Sequence, residues 1–183
     1  MILTDGTSHN LALNFQLSRS SIDNPIYTRR GSQFTLGLKI TPPYSLIKGT
    51  TDAQYAQMTS SEKYNLLEYH KWRFSGKVFT PLSADSKLVL MARAEFGYLG
   101  HYNKNAKSPF ESFYMGGDGM SSYSSYSTEY ISMRGYQSGS LTPYDPATGR
   151  NMGYVYNKFT MELRYPIALE QTATIWALAF VEA

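Results

Sequence analysis

The chain has 183 residues, 17 basic and 14 acidic side chains, no cysteine, and 16 Tyr, 9 Phe and 2 Trp. With 17% charged residues, against roughly 25% in soluble domains, it is short of solvating charge, yet 42% hydrophobic content is too little for a helical membrane protein. The missing thiols exclude disulfides, cysteine nucleophiles and cysteine-ligated zinc, and a formal charge of +3 spread without a run gives no footprint for nucleic acid.

Residues Met1 to Asn10 contain Asp5 and no basic residue before an apolar core, so they do not read as a signal peptide. Either the chain is cytoplasmic or its true start is missing. From Asn10 to Ser18 the chain alternates strictly, with Leu11, Leu13, Phe15 and Leu17 on one face, which is the period of a strand. Asp23-Asn24-Pro25 then forms a compact turn within Ser20 to Arg30. The alternation returns with Phe34, Leu36, Leu38 and Ile40 opposed to Gln33, Thr35, Lys39 and Thr41. A long connection runs from Pro42 to about Asn65, in which Thr59-Ser60-Ser61-Glu62 fits a helix capping box; a strand extension through Glu68 competes with it.

A third strand sets Trp72, Phe74 and Val78 against Lys71, Arg73, Ser75 and Lys77, and a fourth sets Leu88, Leu90, Phe96 and Tyr98 against Arg93 and Glu95, with a turn from Pro81 to Ser86. The segment from His101 to about Met152 is long and carries shorter strand candidates at Glu111 to Met115 and Glu129 to Tyr136. A fifth strand sets Phe159, Met161, Leu163 and Tyr165 against Lys158, Thr160, Glu162 and Arg164; Pro166 to Gln171 reads as a turn, and Thr172 to Glu182 as a sixth strand. No apolar run exceeds Ile175 to Val181, far short of the roughly 20 residues of a membrane-spanning helix.

The fold class is therefore all-β, with short and long connections alternating as in an outer-membrane barrel. A soluble antiparallel sheet with one wet face also alternates. Strand lengths near the roughly 9–11 residues that cross a bilayer favour the barrel, as do the strand-end tyrosines Tyr44, Tyr98, Tyr102, Tyr154, Tyr156 and Tyr165, which fit an interfacial girdle or ordinary edge packing.

Within the long segment, Phe113-Tyr114-Met115-Gly116-Gly117-Asp118-Gly119 precedes Ile131-Ser132-Met133-Arg134-Gly135-Tyr136. The Met133-Arg134-Gly135-Tyr136 stretch resembles the Val-Arg-Gly-Phe motif of BamA-type outer-membrane assembly proteins, the bacterial surface antigen family. Arg19 to Tyr27 with Gly31 resembles that family's periplasmic turn, Met161 to Pro166 its late strand, and Phe180 to Ala183 the strand that follows. Met133 and Tyr136 replace a β-branched residue and Phe, and Glu182 stands where Asp is common.

The resemblance implies that residues 1–183 form part of one transmembrane β-barrel domain, about six to eight strands from the C-terminal half of a larger barrel. Residues 101–152 would include an extracellular loop folded inward. The chain would be a fragment that lacks periplasmic domains and both seam strands, and open edges would leave it unstable as a barrel alone. The implied function is non-enzymatic: assembly and insertion of other β-barrels in the bacterial outer membrane. The implied partners are outer-membrane lipid, unfolded β-barrel clients, offered a strand edge for pairing, and accessory assembly lipoproteins, with no cofactor, metal or nucleic acid.

Arg134 is expected to pair with Glu162 and Glu182, since a guanidinium presents a planar fork of donors to carboxylates; a solvated loop arginine is the alternative. Gly135 permits either a close approach or an unusual backbone angle. Gly116, Gly117 and Gly119 read as a turn, because a phosphate cradle would need Gly-Lys-Ser/Thr and a strand-to-helix context. Asp145 to Gly149 also reads as a turn, and His9, His70 and His101 lie too far apart to suggest a metal site or triad. Two further readings remain at this point: a related secretion translocator of the outer membrane, and a soluble β-sandwich binding module using the Tyr/Ser-rich stretch Ser121 to Tyr130.

Overall fold

The computed structural model describes residues 7–105, 107–120, 128–146, 149–170 and 172–183. Six strands form one sheet: β1 (Leu13–Ser20), β2 (Gly31–Ile40), β3 (His70–Pro81), β4 (Val89–Gly100), β9 (Val155–Leu169) and β10 (Thr174–Glu182), paired in that order. Each strand lies beside the next of the six along the chain, as hairpin connections dictate. Strands β3, β4 and β9, with 12, 12 and 15 residues, reach or exceed the roughly 9–11 needed to cross a bilayer.

In β9 and around Lys71 of β3 the sheet is inverted relative to a soluble one, whereas β1 is exposed on both faces and β4 buries Val89, Met91 and Leu99. Along β9, Phe159, Met161, Leu163 and Tyr165 are exposed, while Lys158, Thr160 and Glu162 between them are buried at 3%, 1% and 7%. In β3 Lys71 is 2% exposed beside the outward Trp72 and Phe74. Water rewards the opposite arrangement, since uncovered apolar area costs about 25 cal/mol per Å². A hydrocarbon surround removes that cost, and ladder pairing satisfies the backbone. Among the described residues the other sheets have two strands each, so the second large sheet of a sandwich is not among them.

Other expectations need smaller corrections. The turn expected from Pro166 to Gln171 begins later, because β9 continues to Leu169 and the Glu170 N–H donates to the Ala173 carbonyl at 3.0 Å; Gln171 lies outside the described residues. A bulge between Ile175 and Trp176 places Trp176 opposite Pro166 and leaves Ile167 over, which lets a residue without an N–H sit inside a strand. The shorter candidates do not join the main sheet: β5 (Phe113–Met115) and β6 (Glu129–Ile131) pair with each other, in parallel. The expected turn at Asp145 to Gly149 is flanked by β7 (Tyr144–Asp145) and β8 (Arg150–Asn151), which pair antiparallel; Ala147 and Thr148 lie outside the described residues, as do residues 121–127 of the Tyr/Ser-rich stretch.

The connection after β2 holds three short helices, α1 (Tyr44–Lys48), α2 (Asp52–Gln57) and α3 (Ser60–Lys63). Thr59 and Glu62 make the expected capping box, and Thr51 with Gln54 makes another. The strand extension through Glu68 does not form, since β3 starts at His70. Instead the buried Glu68 carboxylate accepts the Ser45 N–H at 2.8 Å and the Tyr55 hydroxyl at 3.4 Å, tying α1 and α2 to the start of β3. No helix among the described residues is long and apolar enough to cross a membrane.

The chain divides into two compact units. One comprises Met1–Phe15, Leu38–Trp72 and Gly97–Tyr156, and the other Gln16–Gly37, Arg73–Phe96 and Asn157–Ala183. In the first, Leu67, Tyr69, Leu99 and Phe113 form the apolar core. In the second it is Tyr27, Phe79, Val89 and Met91.

Candidate functional site

The motif and the loop glycines, 14 or more residues apart in sequence, are brought together. Gly117 bridges Met133: the Met133 N–H donates to the Gly117 carbonyl at 2.8 Å and the Gly117 N–H to the Tyr136 carbonyl at 3.0 Å. Gly116 donates to the Ile131 carbonyl at 3.0 Å. Gly116, Gly117 and Gly119 all have positive φ, at 125°, 85° and 79°.

Met133-Arg134-Gly135-Tyr136 is itself a tight turn, closed by the Tyr136 N–H on the Met133 carbonyl at 3.4 Å. Gly135 has φ of 86°, the value a type II turn requires at its third residue. A Cβ there would meet nothing within 4 Å. Of the two expected uses for this glycine, backbone angle is the one present. Arg134 consequently occupies the second position of the turn, partly buried, while Met133 is buried beneath it and Tyr136 is exposed.

The segment carrying these residues is fastened at its root. Phe113 exchanges both backbone hydrogen bonds with Gly153 at 2.9 Å, just before β9, and its ring lies 4.8 Å from that of Tyr156, edge to face. Gly97 in β4 makes room for this pair, for a Cβ there would lie 2.2 Å from the Tyr156 ring and 2.8 Å from that of Phe113. Tyr154 and Tyr156 pack around this core, whereas Tyr98 and Tyr165 are exposed. The other two of the strand-end tyrosines, Tyr44 and Tyr102, are partly buried.

Sequence reasoning missed an ionic cluster in the same unit. Glu111 reaches Lys39 of β2 at 2.5 Å and Lys71 of β3 at 3.5 Å. Lys71 also pairs with Glu129 at 2.8 Å and lies 4.6 Å from the centre of the Phe113 ring. Asn10 donates to Glu111 at 3.4 Å and accepts from the Tyr69 hydroxyl at 3.1 Å. Glu111 takes φ of 67°, a conformation costing about 1–3 kcal/mol for a residue with a side chain. The available signal was a lysine on each of two strand faces that are otherwise polar.

Glu162 and Glu182 share a face of neighbouring strands: Phe180 lies opposite Glu162 and Glu182 opposite Thr160. Both carboxylates are buried. Glu162 accepts from Arg164 Nε at 2.9 Å and Nη2 at 2.6 Å, and Glu182 pairs with Lys158 at 3.5 Å.

The histidines are dispersed. His9 bridges Leu66, His70 lies among Tyr98, Tyr102 and the Trp72 indole N–H, and His101 packs edge-on against Tyr154 at 5.2 Å. Burial, with Lys107 nearby, pushes His101 down to about 4. No group of three His, Cys, Asp or Glu side chains among the described residues is placed to hold a metal.

The Omp85 superfamily domain matches residues 2–183. The chain belongs to the Omp85 superfamily. Among solved structures this Omp85 chain is similar to BamA from Haemophilus ducreyi lacking POTRA domains 1-3, with a TM-score of 0.63 at 17% identity, over 93% of this chain. It covers 29% of that chain, less than a third of its length. The likeness shows an antiparallel BamA-like barrel fold, of which the described strands form an unclosed portion. No curated protein matches. The chain is an Omp85-type outer-membrane protein.

Proposed function

We propose that the protein containing this chain assembles and inserts other β-barrel proteins in the bacterial outer membrane, without enzymatic chemistry. The observation that carries this reading is that an Omp85 chain exposes the apolar residues and buries the charged ones of β9, and carries the Met133–Tyr136 turn on a fastened segment. The apolar face fits lipid. Residues 1–183 belong to one barrel domain, with residues 101–152 folded inward. Clients are unfolded outer-membrane barrels, and accessory lipoproteins take part.

Arg134 pairs with Glu162 and Glu182 in this reading and so holds the turn to the barrel wall. It is supported by two buried carboxylates on one face of adjacent strands and by the turn that displays Arg134. Because Arg164 and Lys158 already balance those carboxylates, Arg134→Ala should cost less than the roughly 3–5 kcal/mol of an uncompensated buried charge.

The experiment is depletion of the full-length protein in its source cells, followed by quantification of outer-membrane proteins. Loss of many unrelated β-barrels is the expected result. If only one secreted polypeptide is affected, the protein is a secretion translocator and the assembly reading is wrong. Full-length Arg134→Ala should show faster protease cleavage of the loop and reduced assembly; unchanged protection and assembly together would remove Arg134 from this role.

A further inference from the structure

We infer that Lys71 is a positioning residue, whose buried ammonium holds both Glu111 and Glu129 to β3 and so forms a second anchor for the stretch that leads into the Met133–Tyr136 turn. Glu111 lies two residues before β5 and Glu129 is the first residue of β6, directly opposite Phe113 in that pair. One cation thus grips the segment before it leaves toward Gly116 and again where it returns. Lys39 repeats the grip from β2 through Glu111.

The choice of residues is informative. An apolar residue of similar size fills such a space as stably as a buried ion pair in many proteins, so burial alone does not require lysine. A lysine with two carboxylate partners is directional, because only one register of segment against strand satisfies all its charges. Lys39 and Lys71 face Glu111 and Glu129 in this cluster. The αL conformation of Glu111 is consistent with a backbone bent to bring its carboxylate to both lysines. An apolar segment over the same strands would slide without leaving any charge unpaired.

The consequence for assembly rests on the function proposed above; the clamp itself does not. The test uses the full-length protein in native membranes, with two readouts: the rate of protease cleavage in the loop, and heat-modifiable migration, which reports whether the barrel is folded. Lys71→Met should speed loop cleavage at least tenfold while the barrel stays folded. Lys71→Arg should keep the parent rate. Glu129→Gln should give a smaller increase, and the Lys71→Met/Glu129→Gln pair should cleave no faster than Lys71→Met alone, because coupled partners are not additive.

Cleavage at the parent rate in Lys71→Met, or additive effects in the pair, overturns the clamp. Should Lys71→Met fail to accumulate, Glu111→Gln and Glu129→Gln decide: each leaves Lys71 one carboxylate, and unchanged cleavage in both overturns it. Faster cleavage in a protein whose depletion spares other β-barrels would retain the clamp and reject the assembly function.

Discussion

The unit built on Gly97–Tyr156 and the unit built on Gln16–Gly37 solve the same problem, holding a connection in place, with different chemistry. In the first, the long connection after β4 is held by a buried ionic cluster around Lys71 and by the Phe113 ring. In the second, the turn between β1 and β2 is held by short-range hydrogen bonds. Asn24 accepts from the backbones of Ile26 and Tyr27 at 2.8 and 3.2 Å, and Asp23 from those of Arg29 and Arg30 at 3.0 and 3.3 Å. Burial nudges the Asp23 carboxyl upward, but these donors outweigh it and hold it below its ordinary value. Tyr27 then packs on Phe79, Val89 and Met91 and donates its hydroxyl to the Lys87 carbonyl at 2.9 Å. A short turn carries its order in its own residues, whereas a connection of some fifty residues needs partners distant in sequence.

Phe113→Ala should break this contrast most severely. Removing a fully buried ring costs about 3–5 kcal/mol, and amide exchange in the full-length protein should accelerate at Leu99 and Gly153 while Tyr27 and Leu88 keep their rates. Equal acceleration at all four would mean that the two regions do not open separately.

The next effect is pH-dependent. The folded-state pKa of His101, about 4, lies below the ordinary histidine value, so the unfolded chain takes the proton first. Its effect is nil above about pH 6.5, and stability falls between about pH 6.5 and 4, by at most about 3 kcal/mol. An imidazole NMR titration of the folded protein should find the low value, and His101→Gln should flatten that part of the pH profile.

The smallest effect is expected from Tyr27→Phe, which removes one hydroxyl and leaves the ring packed. A loss of about 0.5–1.5 kcal/mol should appear as a modest drop in unfolding midpoint, with loop cleavage in the other unit unchanged.

Much of the sheet was legible because strand alternation is local. The faces of β9 follow from the order of Phe159, Thr160, Met161 and Glu162 alone, and the α3 cap follows from Thr59 and Glu62. Legibility failed where a neighbouring strand decides. Pro166 looked like a turn former, and only the bulge beside it, where Ile167 of β9 is left over against β10, permits it inside a strand. For Tyr156 the residue types allowed a girdle or ordinary packing, and the contact with Phe113, more than forty positions earlier, is visible only in the fold. At the motif, residue types allowed Gly135 two purposes; the closing hydrogen bond from Tyr136 to Met133 selected one.

By itself, the sequence determined which residues alternate and where the Asp23-Asn24-Pro25 turn and the Thr59–Glu62 cap fall, because these depend on residues a few positions apart. Only the tertiary structure decided that the charged face is the buried one. The same fold alone joined Gly117 to Met133 and placed Lys71 between Glu111 and Glu129. Pairing between distant segments depends on the positions of whole strands, and a period of two residues is the same whichever face meets water.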